Sequence, residues 1–159
     1  MTRPTILIRS ATVDDADAIS AFNMAMALET EGKTLAPATV EAGVRHALAD
    51  HEASHYYVAE VDGTVAGQTM ITVEWSDWRN ALFWWIQSVY VDPRFRRQGV
   101  FRALHAHVRG EAKKLPNVCG LRLYVHNENQ RAMATYLQLG MTKTDYLLCE
   151  EDWSQESAT

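Results

Sequence analysis

The sequence predicts one α/β domain built on a single mixed, largely antiparallel sheet with helices packed against it. Three observations carry that prediction. Apolar residues recur at three- and four-residue spacing in several stretches, as on one face of a helix, and at two-residue spacing in the stretches between, as in half-buried strands. The two patterns are interleaved along the chain in the order β-α-α-β-β-β-α-β-α-β, with a central antiparallel hairpin run. The 159 residues, 47% hydrophobic and 22% charged, suffice for one ordinary core and are too few for two. The domain is expected over residues 1–159, with its core at about 5–150 and a polar tail from 151 to 159.

The elements follow in order. Thr5 to Arg9 is β-branched and apolar, a short first strand. Thr12 offers a helix cap, with Asp14, Asp15 and Asp17 in the first turn where the helix dipole favours carboxylates. That helix carries Ile19, Phe22 and Met26 on one face and breaks at Gly32, so that Glu29 and Glu31 fall in the loop before the second helix. Pro37 suits the first turn of the second helix, whose stripe is Val40, Val44 and Leu48. The period then changes to two: Tyr56–Val61 and Val65–Trp75 are strands joined at Asp62-Gly63, and Leu82–Val91 is a third, ended by Asp92-Pro93. A basic loop leads into a helix with Val100, Leu104, Val108 and Leu115 on one face. Leu121–Val125 is expected as a strand, 129–139 as a helix ended by Gly140, and Met141–Glu150 as a last strand.

Charge and composition exclude several function classes. Fifteen Lys and Arg against twenty Asp and Glu give a net charge of −5, which repels phosphate backbones and makes nucleic acid an unexpected partner, while weakly favouring amine-bearing ones. Cys119 and Cys149 lie outside any paired-ligand spacing and are expected to be buried small hydrophobes. The six histidines (His46, His51, His55, His105, His107 and His126) form no metal pattern, so no metal is expected. No uncharged apolar run approaches the roughly 18 residues of a membrane span, and Met1-Thr2-Arg3-Pro4 does not open a signal peptide. The expectation is a cytoplasmic protein without a membrane partner. Trp75, Trp78, Trp84 and Trp85 crowd one hairpin, as core and homodimer interface or as an aromatic wall for a ligand.

The segment richest in chemistry runs from Ser88 to Leu104. A strand feeds a loop holding Arg94, Arg96, Arg97, Gln98 and Gly99, and the loop becomes the first turn of a helix at Val100, Phe101 and Arg102. Unpaired backbone N–H groups at a helix start, backed by the positive dipole end, favour an anion, and arginines nearby add charge that can reach phosphate oxygens. An arginine-rich loop that merely faces solvent satisfies the same spacing.

This stretch resembles the acyl-CoA-binding motif of the GCN5-related N-acetyltransferases, in which a strand precedes (Q/R)-x-x-G-x-(G/A) and a helix follows. Arg96, Gly99 and Phe101 stand at its three defined positions. Asn129, Ala132, Tyr136, Gly140 and Met141 resemble the family's later Asn-x-x-Ala-x-x-x-Tyr-x-x-x-Gly-Phe segment. The resemblance covers nearly the whole chain and implies the family's splayed acyltransferase sheet. It implies that the backbone of Val89 and Val91 pairs with the pantetheine arm of acetyl-CoA as an added strand, and that the amides of Arg97 to Arg102 hold the pyrophosphate. It further implies that Asn129 contacts the pantetheine side and that Tyr136 protonates the departing thiolate.

Two departures from the pattern stand out. Phe101 replaces a small residue, and its side chain either points at the cofactor or faces the sheet or solvent. The strand position where many family members carry a glutamate falls within Trp84-Trp85-Ile86-Gln87, so a general base must come from elsewhere, with Glu29 and Glu74 as candidates and Glu31 beside the first. The resemblance thus implies an enzyme moving the acetyl group of acetyl-CoA to a primary amine, cationic if those carboxylates border its site. The alternative is a non-catalytic acyl-CoA-binding sensor or interaction module.

Overall fold

The computed structural model describes residues 4–154; the first three residues and 155–159, part of the expected polar tail, lie outside the described residues. The chain forms two compact units, Met1–Tyr124 and Val125–Thr159. In the first, β1 (Ile6–Ser10) is followed by α1 (Ala16–Glu31), α2 (Pro37–Ala49), β2 (Ser54–Val61), β3 (Thr64–Ser76), β4 (Ala81–Val91), α3 (Val100–Lys114) and β5 (Val118–Leu123). The second holds α4 (Gln130–Gln138). The sheet has the order β1-β2-β3-β4-β5, antiparallel at every junction except β4/β5, which is parallel.

Alternation along the strands divides the core into two layers. Tyr56 and Val58 of β2 pack with Ile19, Val44 and Leu48 of α1 and α2. Tyr57, Ala59 and Val61 point the other way and pack with Val100, Leu104 and Val108 of α3, which are almost wholly buried. Full burial of each such side chain is worth about 1.5–3 kcal/mol, so this i, i+4, i+8 stripe fixes α3 on the sheet. Arg9 ties β1 to the start of α1, donating to both carboxylate oxygens of Asp15 at 2.8 and 2.9 Å and to Glu60 at 2.7 Å. The guanidinium holds the Asp15 carboxyl below the usual carboxylate range.

Several expectations need correction. α1 continues to Glu31 and ends at Gly32 (φ +63°), whose N–H reaches the carbonyls of Ala27 and Leu28, so Glu29 and Glu31 occupy the last helical turn instead of a loop. β5 starts earlier and stops earlier than the apolar run suggests, because its partner is β4 and their register runs only from Leu82↔Val118 to Ile86↔Leu123. Residues 141–150 form no strand. Their apolar residues do not alternate with polar ones, and where they cluster, at Tyr146-Leu147-Leu148, they are exposed, Leu147 to 91%. Both cysteines are exposed: Cys119 lies on β5, an edge strand of the sheet, and Cys149 in that strandless segment. The tryptophans do not form one wall. Trp84 packs against the α3 layer, Trp85 stacks on Tyr124 at 4.4 Å, and Trp75 and Trp78 are exposed.

Candidate functional site

The sheet opens at one place. β4 pairs with β3 on one side through to Val91, but with β5 on the other only as far as Ile86. From Gln87 to Val91 the β5-side edge of β4 has no strand partner among the described residues, leaving main-chain groups that an extended amide chain can pair with as a strand does. Val89 and Val91 lie on this stretch, their side chains packed towards the α3 layer. Here β4 also bulges. Between the pairs Gln68↔Tyr90 and Met70↔Gln87, β3 has one residue, Thr69, and β4 has two, Ser88 and Val89. Ser88 takes φ +49°, a strained left-handed conformation for a residue with a side chain.

What holds that strain is a buried polar chain. Gln68 is fully buried, and its Nε2 donates to the Ser88 carbonyl at 3.1 Å and to Asn23 Oδ1 on α1 at 2.7 Å. Asn23 Nδ2 in turn donates to the Tyr56 hydroxyl at 3.2 Å. Thr69 Oγ1 donates to the Gln87 carbonyl at 3.3 Å. Sequence reasoning passed over Gln68 and Asn23. The available signal was a long polar side chain inside a strand run that otherwise reads as buried, Ala66-Gly67-Gln68-Thr69-Met70.

β4 runs on into the arginine loop. Asp92 caps a short 3₁₀ turn over Pro93–Phe95, accepting from the Arg94 backbone N–H at 2.9 Å and pairing with the Arg94 guanidinium at 2.7 Å. Arg97 (φ +63°) and Gly99 (φ +88°) are both left-handed. Gly99 is the N-cap of α3 and has no side chain to accept from the first-turn N–H groups, which stand at the positive end of the helix dipole. Arg97 and Arg102 form no ion pair among the described residues and leave their charge available beside those amides. Gln98 Nε2 is spent on the Arg94 carbonyl at 3.1 Å. Phe101 lies on the Leu104, His105 and Val108 side of α3, its ring 6.2 Å from that of His105.

Arg96 behaves differently from its neighbours. Its Nε donates to the Val91 carbonyl at 2.8 Å, its Nη2 to Glu29 Oε2 at 2.8 Å, and its guanidinium lies over the Tyr90 ring at 5.4 Å. The Tyr90 hydroxyl donates to the other Glu29 oxygen at 2.7 Å. These two donors hold the Glu29 carboxyl below its ordinary range, and burial together with Glu29 pushes the Tyr90 phenol up to about 12. Glu74 is ion-paired with Arg122, whose guanidinium also lies 3.6 Å from the Phe83 ring centroid. The two candidate bases do not converge: Glu74 sits opposite Phe83 and Glu29 meets Tyr90, positions on β4 roughly 20 Å apart at about 3.3 Å per residue.

In the second unit, Asn129 caps α4, its Oδ1 accepting from the Ala132 N–H at 3.0 Å. Tyr136 lies on the same helix, and burial raises its phenol above the ordinary value, so it keeps its proton at neutral pH. Among the described residues, no group of three or more His, Cys, Asp or Glu is placed to hold a metal ion, and no helix is long and apolar enough to cross a membrane.

An extended, amide-bearing arm ending in a diphosphate suits this surface, with the strand edge for the arm and, for the phosphates, the N-terminus of α3 beside Arg97 and Arg102, which form no ion pair among the described residues. Comparison with known proteins agrees. The model of the Acetyltransferase (GNAT) family matches residues 21–141. A solved structure of a possible acetyltransferase from Clostridium difficile 630 is 46% identical, with 92% of this chain and 97% of that one covered and a TM-score of 0.87. A GCN5-related N-acetyltransferase from Ralstonia eutropha JMP134 shares the fold at 20% identity, covering 92% and 99% of the two chains with a TM-score of 0.76. A predicted acetyltransferase from Clostridium acetobutylicum, solved with acetyl-CoA, does so at 17% identity, covering 95% and 98% with a TM-score of 0.75. No protein of curated function matches the sequence. With its forked sheet, its glycine loop opening α3, and this family match over most of its length, the chain belongs to the GNAT family of acetyltransferases.

Proposed function

We propose that the protein transfers the acetyl group of acetyl-CoA to a primary amine of a small-molecule or peptide acceptor, by direct attack within a ternary complex. The observation that carries this reading is the β4 edge from Gln87 to Val91, without a strand partner among the described residues, which leads through a short 3₁₀ turn into the left-handed loop and the N-terminus of α3. A relative of the same fold was solved with acetyl-CoA, which supports that donor for this chain. In the reaction the amine nitrogen bonds to the thioester carbonyl carbon, the C–S bond breaks, and a proton passes to the sulfur. Main-chain N–H groups at the bulged end of β4 are suited to stabilising the oxyanion, since they are fixed before the reaction begins. The family resemblance assigns the proton on sulfur to Tyr136, whose raised pKa keeps the phenol protonated.

The acceptor must lose a proton before it attacks. Glu29 and Glu74 are each held by an arginine, and the lowered pKa of Glu29 makes it a weak base. Deprotonation therefore proceeds through water, and kcat/KM is expected to rise with pH towards the amine's own pKa, without a plateau set by a carboxylate. Thiol release from acetyl-CoA with a panel of amines tests the reading. Turnover with an amine, reduced about tenfold to a hundredfold in Tyr136→Phe, supports it. The loss is modest for acid catalysis because a thiol with a pKa near 8.5 is already a fair leaving group. Tight acetyl-CoA binding with no turnover across the panel would favour the sensor.

A further inference from the structure

Glu29 stands at the C-terminal end of α1, where the helix dipole disfavours a carboxylate, so its placement is not explained by helix stability. Each of its oxygens is instead spent on the end of β4 and the loop beyond it: Oε1 on the Tyr90 hydroxyl and Oε2 on Arg96. Arg96 in turn closes the 91–96 turn by donating to the Val91 carbonyl. The Tyr90 ring packs on Phe22, about two turns earlier on α1, at 5.2 Å. Arg96 is thus a brace that ties α1 and the last carbonyl of β4 to the start of the turn holding the left-handed Arg97 and Gly99.

We infer that Glu29 is a positioning residue for acyl-CoA binding: through Arg96 and Tyr90 it fixes the end of β4 and the Arg97–Gly99 turn in the conformation that presents the α3 amides. The inference rests on the acyl-CoA reading of this site. It assigns Glu29 to the donor side, in place of the base role that its charge suggests. The two effects Glu29 can have on an anionic ligand differ in sign. As a bare negative charge near a diphosphate it weakens binding, and its removal tightens it. As a brace it preorganises the loop, and its removal weakens binding because the ligand must then order the turn itself.

Isothermal titration of the full chain with CoA, together with steady-state kinetics, separates these roles. For Glu29→Gln the expected result is a CoA Kd and acetyl-CoA KM raised roughly tenfold, as for loss of a charge-assisted hydrogen bond. Turnover at saturating acetyl-CoA stays within about twofold, with an unshifted pH profile. Tyr90→Phe, which keeps the ring on Phe22, moves Kd the same way by less. The double variant Glu29→Gln, Arg96→Gln loses no more than the worse single one, because both act through one brace. Unchanged or tighter CoA binding by Glu29→Gln, at an unaltered unfolding midpoint, overturns the inference. So does a collapse of turnover at saturating donor with loss of the basic limb of the pH profile, which marks Glu29 as the base. Failure of the wild-type protein to bind CoA at all overturns the acyl-CoA reading itself.

Discussion

Replacing Gly99 by alanine separates the loop's role in folding from its role in binding. Gly99 has φ +88°, and no atom lies within 4 Å of where a Cβ would stand. The substitution therefore meets no packing clash, and its stability cost is the backbone strain alone, about 1–2 kcal/mol for a left-handed residue with a Cβ. For a domain of this size that lowers the unfolding midpoint by roughly 2–8 °C. The methyl group stands next to the first turn of α3, Val100 to Arg102, where the proposed function puts the diphosphate. If the loop relieves its strain by turning towards negative φ, the amides of that turn lose their common direction. Losing one hydrogen bond to a charged group, about 1.5–3 kcal/mol, weakens CoA binding roughly tenfold to a hundredfold. Thermal unfolding and CoA titration of the same preparation give both numbers. A midpoint lowered as expected with wild-type CoA affinity would refute the placement of the diphosphate at this turn.

Other consequences concern packing and pH. A Cβ on Gly67 would stand 2.9 Å from the Tyr90 carbonyl oxygen and 3.2 Å from Val100 Cγ1, so Gly67→Ala must shift β4 and α3 away from β3, costing about 1–3 kcal/mol and weakening CoA binding with it. Gly43→Ala, in the middle of α2 with nothing within 4 Å, should instead stabilise by about 0.5–1 kcal/mol and leave CoA affinity unchanged. Acid should destabilise the protein in two steps. Burial, with His51 and His107 beside it, lowers the His55 pKa, and burial with Arg109 nearby lowers that of His105. The unfolded chain therefore takes up these protons first, and stability held above pH 6.5 is lost as pH falls below it. The depressed carboxyl of Asp15 adds a second loss below about pH 4. Unfolding midpoints from pH 7.5 to 3 should show both; a midpoint flat between 7 and 5 contradicts the histidine step.

Local periodicity made much of this fold legible. Val100, Leu104 and Val108 mark the buried face of α3, and Asp62-Gly63 marks the hairpin, because each signal is complete within a few residues. The left-handed loop that opens α3 was legible for the same reason: Arg96, Gly99 and the helix after them form one continuous segment. What the sequence hid were relations between distant segments. Glu29 reads as a free carboxylate until the fold brings Arg96, 67 residues later, to 2.8 Å. The bulge at Ser88 depends on Gln68 from the neighbouring strand and Asn23 from α1, so no local pattern announces it. The end of β5 is set by where β4 diverges, and the expected strand after Gly140 lacked the alternation that would have argued for it.

The central claim is that the open edge of β4 and the first amides of α3 form one acyl-CoA surface. Amide hydrogen exchange with and without CoA tests it most directly. The account predicts slowed exchange on CoA binding at residues 87–91 and 97–102, with little change at the amides of β1 and β2. Binding of CoA that leaves both segments exchanging as in the free protein would contradict it.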